Sequence, residues 1–215
     1  MVELEGSDPG VQGLKIQSPE ALERERTKAV NEAIGTALIQ LLSALYVIKQ
    51  APLTIVETGT VRDGRLEGHE DGLSTLFIAR WVKQSGVAHR FYSFDIEAGH
   101  IISSREFLAD QELDGFVTYG LGDAEKLLEH FCLPIDFAYL DAGADPVQNL
   151  LQFRRVQKWM REPGLVVIDD VYDVRNANKG LVTVPFARLE GLKDWKLLDR
   201  MAVIAFGEQA NFALK

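Results

Sequence analysis

Between residues 19 and 50 the apolar positions Val30, Ile34, Leu38, Leu41, Leu45 and Ile48 recur every three or four residues. This spacing predicts one long amphipathic helix, or two joined near Gly35. Its apolar face has three uses open to it: covering a sheet, capping a site or pairing with a second copy in a homodimer. Beyond it, short apolar runs alternate with helical periods. The runs predict strands over residues 53–57, 91–95, 116–119, 135–140 and 165–168; the periods predict helices over 73–83, 101–113, 124–131 and 147–160. Such alternation implies βαβ units, hence a doubly wound α/β fold whose mostly parallel sheet is covered on both faces.

The last two runs, 196–198 and 202–206, break this rhythm. Only a few residues around Asp199 and Arg200 separate them, too few for a parallel crossover, so they predict an antiparallel hairpin at one edge of the sheet. Residues 1–18 are rich in Gly, Ser, Pro and acids, the composition of a loose leader, either one that orders over a ligand or an idle tail. The expected organisation is a leader (1–18), a helical extension (19–50) and one domain (51–215).

Five of the apolar runs stop at or just before an acid: Glu57, Asp95, Asp123, Asp141 and the pair Asp169 and Asp170. In open parallel sheets ligands bind beyond the carboxyl ends of the strands, so these acids should rim a site for a hydroxyl-rich, cationic or metal-bound ligand.

Composition narrows the partner. A chain of 215 residues, 47% hydrophobic, is long enough for one substantial core. Its net charge of -9 argues against a nucleic-acid or anionic-membrane partner, which needs a cationic footprint, and favours a small molecule. The single cysteine, Cys132, lies in an apolar stretch and reads as a quiet core thiol. The acidic amino terminus lacks the features of a signal peptide, and no apolar run approaches membrane-span length, so the expected location is cytoplasmic.

The segment Thr54-Ile55-Val56-Glu57-Thr58-Gly59-Thr60 runs from a buried strand into a glycine turn. The G-x-G-x-x-G spacing of a dinucleotide cradle is missing, which counts against a dehydrogenase. From about residue 53 to the final hairpin the chain resembles the class I S-adenosylmethionine-dependent methyltransferases, whose first strand commonly ends in E-x-G-x and whose seven-stranded sheet closes with an antiparallel strand. The resemblance implies that Glu57 and Gly59 line the methionine end of the cofactor and that Ser74 binds its carboxylate. It also implies that Asp95 accepts from the ribose hydroxyls, that Asp123 lies beside the adenine and that Asp141 adjoins the cofactor. Ser74 and Asp123 equally suit helix capping. Arg62 reads as a partner for the cofactor carboxylate or as an exposed loop residue.

Asp141, in Tyr139-Leu140-Asp141-Ala142, and the pair in Val167-Ile168-Asp169-Asp170 resemble the metal ligands of cation-dependent O-methyltransferases of the catechol, caffeoyl-coenzyme A and macrocin types. Three converging carboxylates repel unless a cation joins them, and hard oxygen ligands select Mg²⁺ or a similar divalent cation. The alternative is one capping Asp and one solvated Asp. The general base of those families has no counterpart, because Gly143 and Ala144 occupy its places. His100, His69 and Asp145 are the remaining candidates, although Asp145-Pro146 also reads as a helix cap. The charged insertion 61–71 suits a lid or a solvated loop. Arg175, Asn176, Asn178 and Lys179 suit a positive patch that meets a polar acceptor, or a solvated turn.

The expectation is therefore a metal-assisted, S-adenosylmethionine-dependent O-methyltransferase acting on a small hydroxylated acceptor that is catechol-like, polyketide or sugar. Metal-independent methyl transfer and a catalytically silent cofactor-binding or assembly protein are the alternatives.

Overall fold

A computed structural model describes residues 18–62, 73–143, 145–171, 179–192, 195–198 and 200–210, with backbone alone at 19–24 and 195. The leader up to residue 17 and most of the charged insertion lie outside the described residues.

The chain opens with α1 (Pro19–Lys49) and then alternates: β1 (Thr54–Thr58), α2 (Ser74–Ser85), β2 (Arg90–Asp95), α3 (Ala98–Ala109), β3 (Thr118–Leu121), α4 (Ala124–Glu129), β4 (Ile135–Leu140), α5 (Pro146–Trp159), β5 (Met160–Ile168), α6 (Gly180–Leu189), β6 (Trp195–Leu198) and β7 (Met201–Phe206). One seven-stranded sheet results, in the order β3-β2-β1-β4-β5-β7-β6. The first five strands are parallel, and β7 runs antiparallel to both β5 and β6. The expected hairpin is thus present, with its second strand inserted against β5 and its first on the edge.

Strand periodicity of two divides the interior into two cores. Ile55, Phe137, Tyr139, Leu165, Val167, Met201 and Val203 face one side, where Leu38, Leu41, Leu42 and Leu45 of α1 and Ile78 and Val82 of α2 cover them. Their alternates Val56, Ala138, Leu140, Val166, Ile168, Ala202 and Ile204 face the other, under Leu128, Phe153, Val156 and Val184. Each fully buried Val, Leu, Ile or Phe side chain among them stabilises the fold by roughly 1.5–3 kcal/mol.

Helix α1 belongs to the first core, and the indole Nε1 of Trp81 donates to Ser43 Oγ at 2.9 Å to tie it to α2. By length and composition alone its stretch Glu25–Lys49 is apolar enough to cross a membrane, which corrects the expectation from sequence that no run is. In this fold its leucines are buried against the sheet. Cys132 is exposed rather than in the core, because it falls in the turn that leaves α4 before β4 begins. Helix α6 has no counterpart among the expected elements: Gly180 at its start and Pro185 within it mask its period.

The carboxyl ends of the parallel strands are joined by hydrogen bonds from one turn to the last carbonyl of its neighbour. Gly59 N donates to Phe94 O (2.8 Å), Gly122 N to Asp95 O (2.9 Å), Asp141 N to Thr58 O (3.0 Å) and Asp169 N to Leu140 O (3.1 Å). These bonds align the glycine turn and the strand-end acids along one rim.

Candidate functional site

A cleft of about 220 Å³ opens on that rim beyond β1, β2 and β4. Gly59, Asp95, Asp123 and His100 line it, together with Arg62, Phe94, Ile96, Ala142, Gln148 and Gln152. Gly59 has φ +86, and a Cβ there would lie 3.1 Å from Ala142 N, so glycine is what lets the turn after β1 pass close to the turn after β4. Asp95 is buried yet borders the cleft, held by Thr60 N on Oδ2 (3.2 Å) and by Glu97 N on Oδ1 (2.8 Å). Ile96 beside it is an exposed apolar side chain, 66% accessible, suited to be covered by a flat apolar ligand group. The exposed Arg62 puts a cation on the same wall.

Glu57 and Ser74 are not on this cleft. Glu57 is fully buried behind it, where its carboxyl accepts from Ser74 Oγ (2.6 Å), Thr75 Oγ1 (2.7 Å) and Ser93 Oγ (2.6 Å). Burial pushes its pKa up to about 7, against the lowering effect of the three hydroxyls. The reason is position. Glu57 stands on the interior strand β1, between the first turn of α2 and a serine of β2, while Asp95 is the last residue of its strand. Ser74 has its hydroxyl engaged by Glu57 and borders a small recess beside Tyr139, Asp169 and Arg200.

The three acids of the proposed metal site do converge. Ligand oxygens of Asp141, Asp169 and Asp170 lie within 4.8 Å of one another. The cations that join them, however, belong to the protein. Lys179 Nζ donates to Asp141 Oδ1 (2.5 Å), to the Asp141 carbonyl (2.8 Å) and to Asp170 Oδ2 (3.4 Å). Arg200 spans both oxygens of Asp169 (3.1 and 3.2 Å), and its Nη1 lies 3.3 Å from Asp170 Oδ1. Tyr139 donates its hydroxyl to Asp169 Oδ2 at 2.6 Å.

Burial lifts the carboxyl of Asp141 to about 7 against the pull of Lys179, and burial together with the Asp169 charge lifts that of Asp170. Burial alone would lower Lys179; Asp141 and Asp170 hold its ammonium above the usual range. The donor set has the chemistry of a Mg²⁺ site, but four of its six carboxylate oxygens already accept from N–H or O–H groups of the protein and the Lys179 ammonium stands among them, so a divalent cation does not fit this arrangement. Lys179 points inward to these acids and is not a patch that greets an acceptor, a role its neighbours 175–178 leave outside the described residues.

Of the base candidates, Asp145 caps α5 by accepting from Val147 N at 2.9 Å and is absent from the cleft wall. Its carboxylate is used structurally, as the following proline suggests. His100 lines the cleft, but its Nδ1 lies 3.1 Å from Asp95 Oδ1, at the end of the site where that acid stands. His69 lies outside the described residues. Asp123 both caps α4, through Glu125 N at 2.9 Å, and borders the cleft.

Sequence reasoning missed Gln152, which is buried on α5 and accepts from Thr58 Oγ1 at 2.9 Å while lining the cleft. It also missed the pairing of Lys179 and Arg200 with the acids. Nothing local marks Gln152; a lysine and an arginine near three acids were the only signal for the other two.

Residues 67–171 match the family described as a methyltransferase domain. No curated protein sequence matches the chain. Among solved structures, the O-methyltransferase NovP superposes with a TM-score of 0.65 at 14% identity, covering 82% of this chain and 80% of that one. The O-methyltransferase TomG from Streptomyces achromogenes, involved in tomaymycin synthesis and solved with S-adenosylmethionine, gives 0.57 at 18% identity, covering 90% and 92%. The O-methyltransferase from Bacillus cereus, solved with S-adenosylhomocysteine, gives 0.56 at 17%, covering 91% and 94%. Residues 67–171 are thus similar to a methyltransferase domain, and the sheet order and these likenesses show that the chain has the fold of the O-methyltransferases.

Proposed function

We propose that this chain binds S-adenosylmethionine in the cleft and transfers its methyl group to an oxygen of a small hydroxylated molecule. The observation that carries the reading is the cleft wall itself. A glycine turn, the strand-end Asp95, the exposed Ile96 and Arg62 meet at the carboxyl ends of β1 and β2. Asp95 is an acceptor suited to a ribose diol, Ile96 to an adenine face and Arg62 to the carboxylate of an amino acid. Bound there, S-adenosylmethionine would supply an electrophilic methyl group on a sulfonium centre. The chain's own part is to orient that group through the Gly59 turn and the bound acid, and to exclude water with the apolar wall of Phe94, Ile96 and Ala142. The net charge of -9 and the size of the cleft favour a small acceptor over nucleic acid.

Metal assistance is a separate question. The convergence of Asp141, Asp169 and Asp170 favours it, and the occupation of those acids by Lys179 and Arg200 weighs against it, so the proposed reaction has no metal step. A silent cofactor-binding protein is the second reading. It is favoured by the fact that, among the described base candidates, Asp145 is used as a cap and His100 is paired with Asp95.

Calorimetric titration with S-adenosylhomocysteine tests cofactor binding, and methyl transfer to a panel of hydroxylated acceptors separates enzyme from binding protein. An absence of S-adenosylhomocysteine binding would sink both readings; binding with no turnover on any acceptor class would leave the second.

A further inference from the structure

We propose that the ammonium of Lys179 is a built-in replacement for a divalent cation at the cluster of Asp141, Asp169 and Asp170. The three N–H donors of an ammonium match the three oxygens around it: Asp141 Oδ1, the Asp141 carbonyl and Asp170 Oδ2. The side chain is 5% exposed, so the charge sits among the acids and not above them. Lys179 is also fixed at its main chain, where its N–H donates to the Asp170 carbonyl at 3.3 Å, just before α6 begins. The lysine therefore reaches the acids from a backbone position those same acids help to set.

The third carboxylate is supplied separately. Arg200 takes both oxygens of Asp169, and its own carbonyl accepts from Val171 N at 2.8 Å, which seats the guanidinium beside the end of β5. Two fixed cations thus stand against three acids, and Tyr139 adds a hydroxyl donor. Mg²⁺ and Mn²⁺ ask for oxygen ligands in near-octahedral array. Here the oxygens that would face such an ion face the ammonium, and a divalent ion brought to them meets a like charge at close range.

Asp170 adopts φ +51, a conformation uncommon for a residue with a side chain, and it turns its carboxylate to both Lys179 and Arg200. Protein cations thus face each of the three carboxylates, Lys179 at Asp141 and Asp170 and Arg200 at Asp169 and Asp170. Removing the ammonium would leave an unfilled acid triad of the composition that binds divalent metal.

The test is Mn²⁺ uptake by the full chain, read as loss of the free-ion signal in electron paramagnetic resonance, without cofactor or acceptor. The wild type should leave millimolar Mn²⁺ free. Lys179→Ala should take up a single ion per chain, and Lys179→Ala with Asp141→Asn should lose it again. If Lys179→Ala lacks a cooperative melt, Lys179→Gln takes its place, since its amide still donates to Asp141 without the charge. Uptake by the wild type that disappears in Asp141→Asn overturns the proposal, and so does a folded charge-free variant that takes up no ion. Because the readout involves no methyl transfer, it stands or falls separately from the proposed function.

Discussion

Ser74 donates its hydroxyl to Glu57 at 2.6 Å, joining the first turn of α2 to the interior strand β1 beneath the cleft. Two residues expected to touch a cofactor instead hold one another in the interior. Thr75 and Ser93 add to the shell, so that among the described residues the carboxyl of Glu57 is held by three hydroxyls.

That environment makes Glu57 a source of pH-dependent stability. Burial raises its pKa from 4.5 to about 7. The folded state thus binds more protons than the unfolded state between those values, and stability falls as pH rises through this window. The contribution is about 3 kcal/mol, since each unit of pKa difference is worth ~1.4 kcal/mol. Asp141, lifted to about 7 by burial, acts in the same sense. Glu57→Gln should therefore flatten part of the loss, matching the wild type near pH 5 and exceeding it at pH 8. Urea denaturation across pH measures this; equal slopes in the two proteins would contradict it.

Asp95 should govern cofactor affinity. Substitution by Ala removes an acceptor facing the cleft and frees Thr60 N and Glu97 N. A charge-assisted hydrogen bond contributes roughly 1.5–3 kcal/mol. S-adenosylhomocysteine should then bind about 10- to 100-fold more weakly by calorimetry, with His100→Ala weaker in effect because it acts through Asp95. Unchanged affinity in Asp95→Ala would move the ribose elsewhere.

At Gly59 a side chain meets two obstacles, the positive φ of +86 and the Ala142 main chain at 3.1 Å. Gly59→Ala should lower stability by about 1–2 kcal/mol, and it should reduce S-adenosylhomocysteine binding as the two turns move apart. A variant with wild-type melting and binding would show that the turns do not need to approach.

Asp136 offers the opposite separation. It is fully buried near the start of β4, with Lys49 Nζ at 2.8 Å, Arg161 Nε at 3.0 Å and Thr54 N donating at 2.7 Å. Asp136→Ala strands the nearly buried Lys49 and should cost about 3 kcal/mol. Because the site lies at the strand end away from the cleft, S-adenosylhomocysteine affinity should stay at the wild-type value. Thermal melts and calorimetry on one preparation read both.

Much of the architecture was legible in local pattern. Alternation of period two in β4, β5 and β7 fixes which residues face which core, and the strand ends place a row of acids on one rim. Local pattern failed where its signal was broken, as in α6 with Gly180 and Pro185, or where apolar neighbours misled, as at the exposed Cys132.

The α/β order and the rim of acids follow from spacing along the chain. What each acid does follows from the groups that folding brings to it. Glu57 and Asp95 have the same local signature, yet one is enclosed by hydroxyls and the other borders the cleft. Asp141 and Asp169 look like free ligands until Lys179 and Arg200 arrive from 38 and 31 residues away. Charge compensation depends on distance through space, and the packing of α6 and of the β6–β7 turn against the strand ends sets that distance.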